Sequence, residues 1–460
     1  MSVAPKLKQA PPPPPPDAIP VAPLSANTSL NQDVDGLLGG FAWYPGRPDH
    51  TNVTYSFQGF ADAEKIAIGS ILAQVSSFAN ISFEEKPGSN EAAAQMRLRE
   101  THTQGADGFA YYPGSGKGGD ATFDNRGGSS GLVRHDAANL QPGDYTFTLF
   151  MHELGHALGL KHPFENSSFG IVPPGTDSIE RTVMSYDAFV GANNTWATDG
   201  NNPQTYMMFD IAALQYMYGA NYSTNDDDTT YKWNASGALS INSGSFVDAA
   251  PDTDTVFMTI WDGSGNDTYD FSNYGTNLSV DLRPGGWTTL DPDSHHQLAN
   301  LAAHAGDPAV WAAGNIANAL VFSFNQGASG AGIIENATGG GGADTIVGND
   351  SDNILIGGGG SDTLNGGPGA DRITGGLGAD QMTGGPGADR FYFAQGQVNG
   401  DLITDFGAGD AMYFAGFAVG ATLTHGSGDS WSVNDGAHAA EIMHLTGVAA
   451  LAAGTDYFFV

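Results

Sequence analysis

A nine-residue repeat constrains the fold of this chain more than any other feature. From Gly339 the sequence repeats every nine residues without slippage, as in GGGGADTIV, GGGGSDTLN and GGPGADRIT. A fixed short period with paired glycines and an aspartate predicts a stacked parallel β-solenoid, not a globular core. A flexible Gly/Asp-rich linker is the alternative, but linkers do not keep an apolar eighth position through successive repeats.

The repeats follow the pattern G-G-x-G-x-D-x-U-x, in which each position has its own task. Glycines permit tight turns with positive φ and offer backbone carbonyls to a cation. They are Gly339, Gly340, Gly342, Gly348, Gly357, Gly358, Gly360, Gly366, Gly367, Gly369, Gly375, Gly376, Gly378, Gly384, Gly385 and Gly387. The sixth positions supply a carboxylate or amide: Asp344, Asn353, Asp362, Asp371, Asp380 and Asp389. The eighth positions supply an apolar side chain for the interior: Ile346, Leu355, Leu364, Ile373, Met382 and Phe391.

Two repeats make one coil, so residues 18 apart are expected to stack. Asp344, Asp362 and Asp380 then form one ladder, and the sixth positions of the intervening repeats form the other. Adjacent carboxylates repel unless a cation lies between them. Several Ca²⁺ ions between the coils, held by these oxygens and by backbone carbonyls, remove the repulsion.

A second motif predicts a zinc site. The segment from Thr146 to Leu160 is predicted to be helical, and His152 and His156 lie one turn apart on it. A turn at Gly159 can bring His162 back as a third ligand. Three imidazoles leave the fourth position of one Zn²⁺ open for water, which is the catalytic arrangement. Glu153, next to the first ligand, can act as general base. A lone helical histidine is usually structural, but the complete spacing favours the metal site.

The stretch HELGHALGLKHP resembles the extended zinc motif of metzincin proteases, and it is most similar to the serralysin branch. TVMSYD resembles the methionine turn of that family. The resemblance implies that Met184 packs beneath the zinc without binding it. It also implies that Tyr186 is a reversible zinc ligand and stabilises the tetrahedral intermediate, although a surface tyrosine is the alternative.

The segments VTYSFQGF and DIAALQYMYGANYST also look like serralysin sequence, and the repeats look like RTX repeats. The resemblance implies an α+β zincin-like catalytic domain, with a mixed sheet plus helices, followed by an all-β parallel β-roll (RTX) domain. It implies a secreted zinc endopeptidase whose substrate lies extended along an edge strand. Residues 119–125 are the candidate for that strand.

Three further segments resemble calcium-site or secretion elements of the family. The segment from Asp262 to Asp270 is similar to an isolated calcium site in which Asp262 and Asp267 would be ligands; an acidic turn is the alternative. The stretch DLITDFGAGD resembles the closing strand, with Asp401, Asp405 and Asp410 completing the last sites. The residues DYFFV resemble the uncleaved signal read by type I secretion systems; a plain β-strand is the alternative.

The organisation that follows has three parts. Residues 1–30 are Pro-rich and are expected to be a disordered leader or prosegment without the apolar core of a cleaved signal peptide. Residues 31–240 are the predicted catalytic domain, and 241–460 the predicted β-roll with its secretion signal. Within the catalytic part, strands are expected at 53–57, 109–112 and 121–123 and helices at 61–78 and 209–218. Ile66, Ile68, Ile71, Leu72 and Val75 mark the apolar side of the first helix.

Composition excludes several classes of function. Asp and Glu number 50 against 16 Lys and Arg, for a net charge of −34, which disfavours nucleic acid and anionic lipid as partners. The chain has no cysteine, so disulfides, thiolate ligands and cysteine nucleophiles are excluded. No apolar run approaches the ~20 residues of a membrane span. The expected partners are protein or peptide substrates and a type I secretion apparatus, and the expected state is a monomer.

Two other functions fit the repeats alone. A calcium-dependent RTX adhesin or surface-layer protein would need no catalytic centre, and the zinc motif disfavours it. An RTX lipase would need a G-x-S-x-G elbow in a strand-turn-helix context, and no credible one is present.

Overall fold

The computed structural model describes residues 31–43, 51–86, 94–103, 105–114, 116–126, 140–242, 253–302, 307–322 and 331–460. The predicted leader, residues 1–30, lies outside this part of the chain. Two compact units are present. The described residues of the first unit lie within 1–224, 251–263 and 298–332, and those of the second lie within 225–250, 264–297 and 333–460.

The first unit combines helices with a mixed sheet. Its helices are α1 (Gln32–Asp35), α2 (Asp62–Phe78), α3 (Tyr145–Leu158) and α4 (Met208–Tyr218). Its strands are β1 (Thr51–Gln58), β2 (Ile81–Glu85), β3 (Met96–Glu100), β4 (Gly108–Ala110), β5 (Ala121–Phe123), β8 (Met258–Ile260) and β12 (Ile316–Asn318). The main sheet has the order β2-β1-β3-β5-β4, with β4 antiparallel to β5 and the other pairs parallel. This is the α+β arrangement expected for the catalytic part.

The core of this unit lies where α2 and α3 pack on the sheet. Ile68, Ile71, Leu72 and Val75 of α2 are buried, as the sequence predicted. The prediction for Ile66 is wrong, because its side chain is 72% exposed. Ile66 is two residues from Ile68, so a helix places the two side chains on different faces. Only one of them can therefore face the sheet.

Sequence reasoning placed a strand for substrate at residues 119–125, and the structure corrects it. The strand formed there, β5, lies between β3 and β4, and its neighbours occupy both of its edges. Within the described residues, β4 is the last strand on that side of the sheet. The pattern of short apolar strands did not distinguish β4 from β5, because edge position depends on pairing between distant segments.

The sequence predicted a single domain boundary at residue 240. The two compact units are instead made of segments that alternate along the chain beyond that residue. The chain returns to the first unit twice after that point, because β8 and β12 pair in parallel there, with Ile316 opposite Met258. The side chain of Gln204 also binds this segment: its Nε2 donates to the Thr255 carbonyl at 2.7 Å, and its Oε1 accepts from Phe257 N at 3.0 Å. The described residues between 298 and 322 therefore belong to the first unit.

The second unit is built almost entirely from short strands. They are β6 (Thr230–Trp233), β7 (Leu239–Ile241), β9 (Thr268–Asp270), β10 (Ser279–Asp281), β11 (Trp287–Thr288), β13 (Asn336–Thr338), β14 (Thr345–Val347), β15 (Ile354–Gly359), β16 (Thr363–Asn365), β17 (Arg372–Leu377), β18 (Gln381–Thr383), β19 (Arg390–Ala394), β20 (Leu402–Ile403), β21 (Ala411–Ala415), β22 (Thr422–His425), β23 (Ser430–Asn434), β24 (Glu441–Leu445) and β25 (Tyr457–Phe459). One sheet has the order β25-β21-β19-β17-β15-β13-β9-β6-β7 and another the order β10-β14-β16-β18-β20-β24-β23-β22.

The nonapeptide repeats form the predicted parallel roll. Successive strands alternate between the two sheets, and each pairs with the strand two further along, so that Thr345 lies opposite Thr363 and Ile354 opposite Arg372. The stacking of residues 18 apart is therefore confirmed. The apolar eighth positions are fully buried, which confirms that they fill the interior. After the repeats, β22, β23 and β24 form an antiparallel addition, and β25 pairs in parallel with β21.

No helix in the described ranges is both long enough and apolar enough to cross a membrane.

Glycine is required at particular positions of the roll, which gives a testable prediction. Gly376 has a φ of 109°, and a Cβ there would lie 2.1 Å from the Gly358 carbonyl oxygen. We expect Gly376→Ala to destabilise the calcium-loaded roll by more than about 2 kcal/mol. The strain of alanine in the left-handed backbone region adds to the steric overlap of its Cβ with the Gly358 carbonyl oxygen. Denaturant unfolding followed by circular dichroism measures the loss.

Gly359 provides the control, because a Cβ there would meet nothing closer than 4.0 Å and its φ is not positive. Gly359→Ala should leave the unfolding midpoint nearly unchanged. Equal effects of the two substitutions would contradict the steric argument.

Candidate metal centre

Helix α3 carries the first two histidines and Glu153, and every residue of this helix is buried. Its last carbonyl groups are satisfied by distant side chains. Trp43 Nε1 donates to the Ala157 carbonyl at 3.0 Å, and the Tyr218 hydroxyl donates to the Leu158 carbonyl at 2.6 Å. Helix ends leave such groups without intrahelical partners, so these bonds allow the end of α3 to be buried.

Gly159 turns the chain back after α3. Its φ is 109°, in the left-handed region, and a Cβ would lie 2.1 Å from the Phe41 carbonyl oxygen. Only glycine therefore fits. The turn is closed by Leu160 N, which donates to the Gly155 carbonyl at 2.9 Å. It brings His162 back toward the two histidines of the helix, as the spacing predicted.

The three histidines form one buried cluster. His162 Nε2 lies 3.1 Å from His152 Nε2 and 3.0 Å from His156 Nε2. Their candidate ligand atoms all lie within 4.8 Å of one another. Zn–N bonds of about 2.0–2.1 Å in a tetrahedron place the ligand nitrogens about 3.3 Å apart, close to the spacing found here.

The tautomers of these rings follow from their partners. His152 Nδ1 lies 2.8 Å from the Val183 carbonyl, and His156 Nδ1 lies 2.8 Å from the Leu160 carbonyl. A carbonyl can only accept, so both Nδ1 atoms carry the proton and both Nε2 atoms present a lone pair. Burial lowers the pKa of His152 to about 4 and lowers the pKa values of His156 and His162 well below their usual range. Neutral imidazoles with converging lone pairs fit a divalent cation of the zinc type.

Glu153 has the position expected of a general base. It is 2% exposed, and its Oε2 is buried without a hydrogen-bond partner among the described residues. The carboxylate packs against β4, since a Cβ on Gly108 would lie 3.1 Å from Glu153 Oε1. Burial, together with the nearby Asp107 carboxylate, raises the pKa of Glu153 to about 8. A strongly shifted buried acid of this kind is typical of a proton-transfer group.

The methionine turn lies beneath the histidines. Met184 is fully buried, and a Cβ on Gly155 would lie 2.6 Å from its Sδ. Met184 therefore packs against the helix turn between the two ligand histidines and belongs to the support of the cluster. The Tyr186 hydroxyl lies 2.7 Å from His162 Nε2, so this side chain does reach the metal centre and is not a surface tyrosine.

Sequence reasoning missed Asp210, which holds this turn in place. Its carboxylate is buried and accepts from Thr182 Oγ1 at 2.6 Å, from Val183 N at 2.8 Å and from Met207 N at 3.0 Å. Val183 in turn accepts the Nδ1–H of His152. Asp210 therefore acts on a ligand histidine through one intervening residue. An acidic residue in the first turn of a helix was the available signal.

In the second unit, the ladder aspartates accept hydrogen bonds from the preceding coil. Asp362 Oδ1 accepts from Asp344 N and Asp371 Oδ1 from Asn353 N, both at 2.8 Å. The other carboxylate oxygen is buried and lacks a hydrogen-bond partner within the described ranges in Asp362, Asp371, Asp380, Asp389 and Asp401. Burial raises the pKa values of Asp362 and Asp371 to about 7 and that of Asp401 to about 8. Buried carboxylate oxygens of this kind fit Ca²⁺.

The remaining predicted calcium residues occupy several environments. Both carboxylate oxygens of Asp344, Asp405 and Asp410 accept backbone N–H groups. Asn353 differs, because its amide donates to the Glu335 carbonyl at 2.7 Å. The repeat glycines pack against the ladders: a Cβ on Gly357 would lie 2.3 Å from Asp362 Oδ2.

The two predicted ligands of the isolated calcium site belong to different compact units. Asp262 is buried in the first unit and Asp267 in the second. In the second unit Asp267 Oδ1 accepts from Thr229 N at 2.8 Å, and Glu335 Oε2 accepts from Asp267 N at 2.7 Å. Burial raises the pKa of Glu335 to about 7, and Asp267 and Asp228 add to the shift. The nonapeptide pattern gives no signal for Glu335, because this residue precedes the first repeat at Gly339.

The three clustered histidines, two of them on a buried helix beside a mixed sheet, resemble the metal centre that the sequence motif predicts. Comparison with known proteins agrees. The matrixin family matches residues 49–171, the Peptidase M10 serralysin C terminal family matches 220–290, and the RTX calcium-binding nonapeptide repeat matches 338–373 and 365–397. The resemblance to serralysin-type metalloproteases with RTX repeats is therefore confirmed, and a non-catalytic RTX adhesin is not favoured.

Individual relatives show the same relationship. The chain is similar to metallopeptidase AprA of Pseudomonas marginalis, with 31% identity over 243 residues, covering 51% of this chain and 49% of that protein. It is similar to serralysin C of Dickeya chrysanthemi, with 33% identity over 227 residues, covering 47% and 44%. It is also similar to serralysin of Proteus mirabilis, with 34% identity over 166 residues, covering 34% and 32%. The chain spans about half the length, or less, of these relatives.

The contact between Met184 and Gly155 gives a prediction. Gly155→Ala would place a methyl group 2.6 Å from Met184 Sδ. We expect it to destabilise the first unit by about 1–3 kcal/mol, since overpacking forces the methionine turn away from α3. Thermal unfolding monitored by tryptophan fluorescence measures the change.

Gly69 of α2 is the matched control. It is also a helical glycine, but a Cβ there meets nothing within 4 Å. Gly69→Ala should stabilise the protein by about 0.5–1 kcal/mol, because alanine favours the helix. If Gly155→Ala instead stabilised the protein, the Met184 side chain would not restrict the space for a methyl group at position 155.

Proposed function

We propose that this protein is a secreted zinc metalloendopeptidase that hydrolyses peptide bonds of extracellular proteins and is stabilised by calcium. The observation that carries the proposal is the convergence of three imidazole lone pairs beside Glu153, a buried carboxylate with an unpartnered oxygen. Similarity to serralysins and to a metallopeptidase over about half of the chain supports it.

His152, His156 and His162 would hold the zinc through Nε2, with Tyr186 as a further, reversible ligand. Bound Zn²⁺ supplies a Lewis acid that polarises a carbonyl and makes water a stronger acid. Glu153 accepts the proton of the attacking water and then returns it to the leaving amine. The Tyr186 hydroxyl donates a hydrogen bond to the oxyanion as the carbonyl becomes tetrahedral. The three histidines, Glu153 and Tyr186 together account for metal binding, proton transfer and charge stabilisation.

The substrate would lie along β4. This strand is the last of its sheet within the described ranges, and Gly108 brings its backbone against Glu153. An extended peptide that adds to such an edge gains main-chain hydrogen bonds and would lie beside Glu153. A cavity of about 320 Å³ beside Tyr186 would take one substrate side chain; it is lined by Phe164, Asp177, Asp187, Asn193 and Asn194 as well as Tyr186.

Calcium would hold the second unit together. The proposed ligands are the ladder carboxylates at positions 344, 362, 371, 380 and 389, then Asp401, Asp405 and Asp410, together with backbone carbonyls of the repeat glycines. Asp262 and Asp267 are also proposed as calcium ligands. Asn353 would contribute its neutral amide Oδ1, which also accepts from Asn349 N at 2.9 Å.

We further propose that the chain is exported by a type I secretion apparatus and works as a monomer. The acidic repeats would stay unfolded at low cytosolic calcium and fold outside, where modules of this kind bind with a Kd of about 10⁻⁴–10⁻³ M. Residues 456–460 are the proposed signal, and three of them form β25 (Tyr457–Phe459) in the folded protein. Residues 1–30 would act as a prosegment.

Glu153→Gln tests the catalytic proposal. Glutamine keeps the shape of the side chain and cannot accept the proton, so we expect casein hydrolysis to fall by at least about 100-fold while one zinc remains bound. Zinc is measured by metal analysis of the purified protein. Glu180→Gln in the same unit is the control and should cleave casein at the wild-type rate. Comparable cleavage by Glu153→Gln would reject the role of Glu153.

Removal of calcium tests the proposal that calcium stabilises the second unit. With a calcium chelator in excess we expect the β-sheet signal in circular dichroism to fall sharply, because the buried ladder oxygens then have no positive partner. Re-addition of millimolar calcium should restore the signal. The same β content with chelator as with calcium would reject calcium-dependent folding.

A further inference from the structure

The three histidines of the metal centre differ in the group that accepts their second N–H. His152 and His156 each donate Nδ1–H to a backbone carbonyl, which is neutral. His162 Nδ1 instead lies 2.8 Å from Glu165 Oε1, and a carboxylate is the acceptor. The acceptor for the Nδ1–H of His162 is therefore negatively charged, whereas the acceptors for His152 and His156 are neutral dipoles.

Several contacts hold the Glu165 carboxylate against this ring. Glu165 follows His162 by three residues, and its backbone N–H donates to the His162 carbonyl at 3.1 Å, which closes the turn between them. The Tyr112 hydroxyl donates to Glu165 Oε2 at 3.1 Å, so both carboxylate oxygens have a partner. Lys161 Nζ donates to the Glu165 carbonyl at 2.6 Å. The side chain is only 16% exposed, so water screens its charge poorly.

Other contacts fix the plane of the ring. Phe164 stacks on His162 with ring centroids 5.2 Å apart and an interplanar angle of 3°. Tyr112 meets His156 edge-on, with centroids 5.9 Å apart. Tyr112 is therefore in contact with one ligand histidine directly and with another through Glu165. The arrangement is a carboxylate–histidine pair in which a tyrosine orients the carboxylate.

We propose that Glu165 is a positioning residue for the metal, with Tyr112 as its support. The carboxylate keeps the His162 proton on Nδ1, directs Nε2 toward the other two histidines and makes that nitrogen a stronger donor to a bound cation. It also places a negative charge behind the only one of the three ligands that comes from outside the helix. This inference rests on the zinc centre proposed above, and it concerns metal affinity, not the chemical step.

Two substitutions of Glu165 separate charge from geometry. In Glu165→Gln the amide oxygen can still accept from His162 Nδ1–H, and only the charge is lost. Glu165→Ala removes both the charge and the acceptor. Loss of such outer carboxylates costs 10- to 100-fold in metal affinity, so we expect the zinc Kd to rise about 10-fold in Glu165→Gln and toward about 100-fold in Glu165→Ala. Tyr112→Phe should produce a smaller rise, which disappears in the Glu165→Ala background.

The experiment uses the full chain with calcium present throughout. Zinc affinity is measured by competition with a chromophoric chelator, and the visible absorption of the Co²⁺-loaded protein reports the ligand field at His162. Glu180→Gln is the matched control. It is the same substitution in the same unit, at a carboxylate that accepts from Ser178 Oγ and Ala313 N, and it should leave both readouts unchanged.

The outcomes are distinguishable. Unchanged zinc affinity and an unchanged cobalt spectrum in both Glu165 variants would overturn the inference. The inference would also be overturned if the metal-free variants unfolded at a lower temperature and this loss of stability explained all of the lost zinc binding. Glu165 would then have only a structural role. Wild-type protein that binds zinc and cleaves no casein would reject the proposed peptidase activity, while the affinities of the variants would still decide the role of Glu165.

Discussion

Both units of this protein bury groups of nitrogen or oxygen lone pairs, and these groups determine which cations each unit can bind. In the first unit, three Nε2 atoms converge at 3.0–3.1 Å, and the partners of the opposite ring nitrogens keep the protons away from them. In the second, buried carboxylate oxygens such as Asp362 Oδ2 have no hydrogen-bond partner among the described residues. Buried groups of this kind are costly unless a cation compensates them. In the proposed function, zinc in the first unit and calcium in the second would supply this compensation.

The metal centre depends on contacts that come from far along the chain. Asp210 of α4 binds the turn that carries Val183, and Val183 fixes the tautomer of His152. Trp43 and Tyr218 satisfy the end of α3, which allows the helix to be buried as a whole. Helix α3 thus presents its histidines from a rigid position, and such pre-organisation is what a catalytic metal site needs.

The sequence predicted those features that short spacing controls. The helix period places His152 and His156 on one face, and the nine-residue period places Asp344 beneath Asp362. Prediction was weaker wherever a face or an edge had to be chosen. Ile66 was assigned to the buried side and is exposed, and residues 119–125 were assigned to a sheet edge that β4 occupies. The repeat pattern also does not show that the Asn353 amide donates to the Glu335 carbonyl at 2.7 Å.

The sequence by itself therefore determined that three histidines and Glu153 come together as a candidate metal centre, and it determined the register of the roll, because covalent spacing along a helix or a repeat fixes these geometries. Only the tertiary structure decided which strand borders the site, that Asp210 and Glu165 support the ligand histidines, and that residues beyond 250 return to the first unit. Those features arise from hydrogen bonds between residues that are distant in sequence or that meet only after a turn has formed. Their free energy becomes available only when the chain has folded around them.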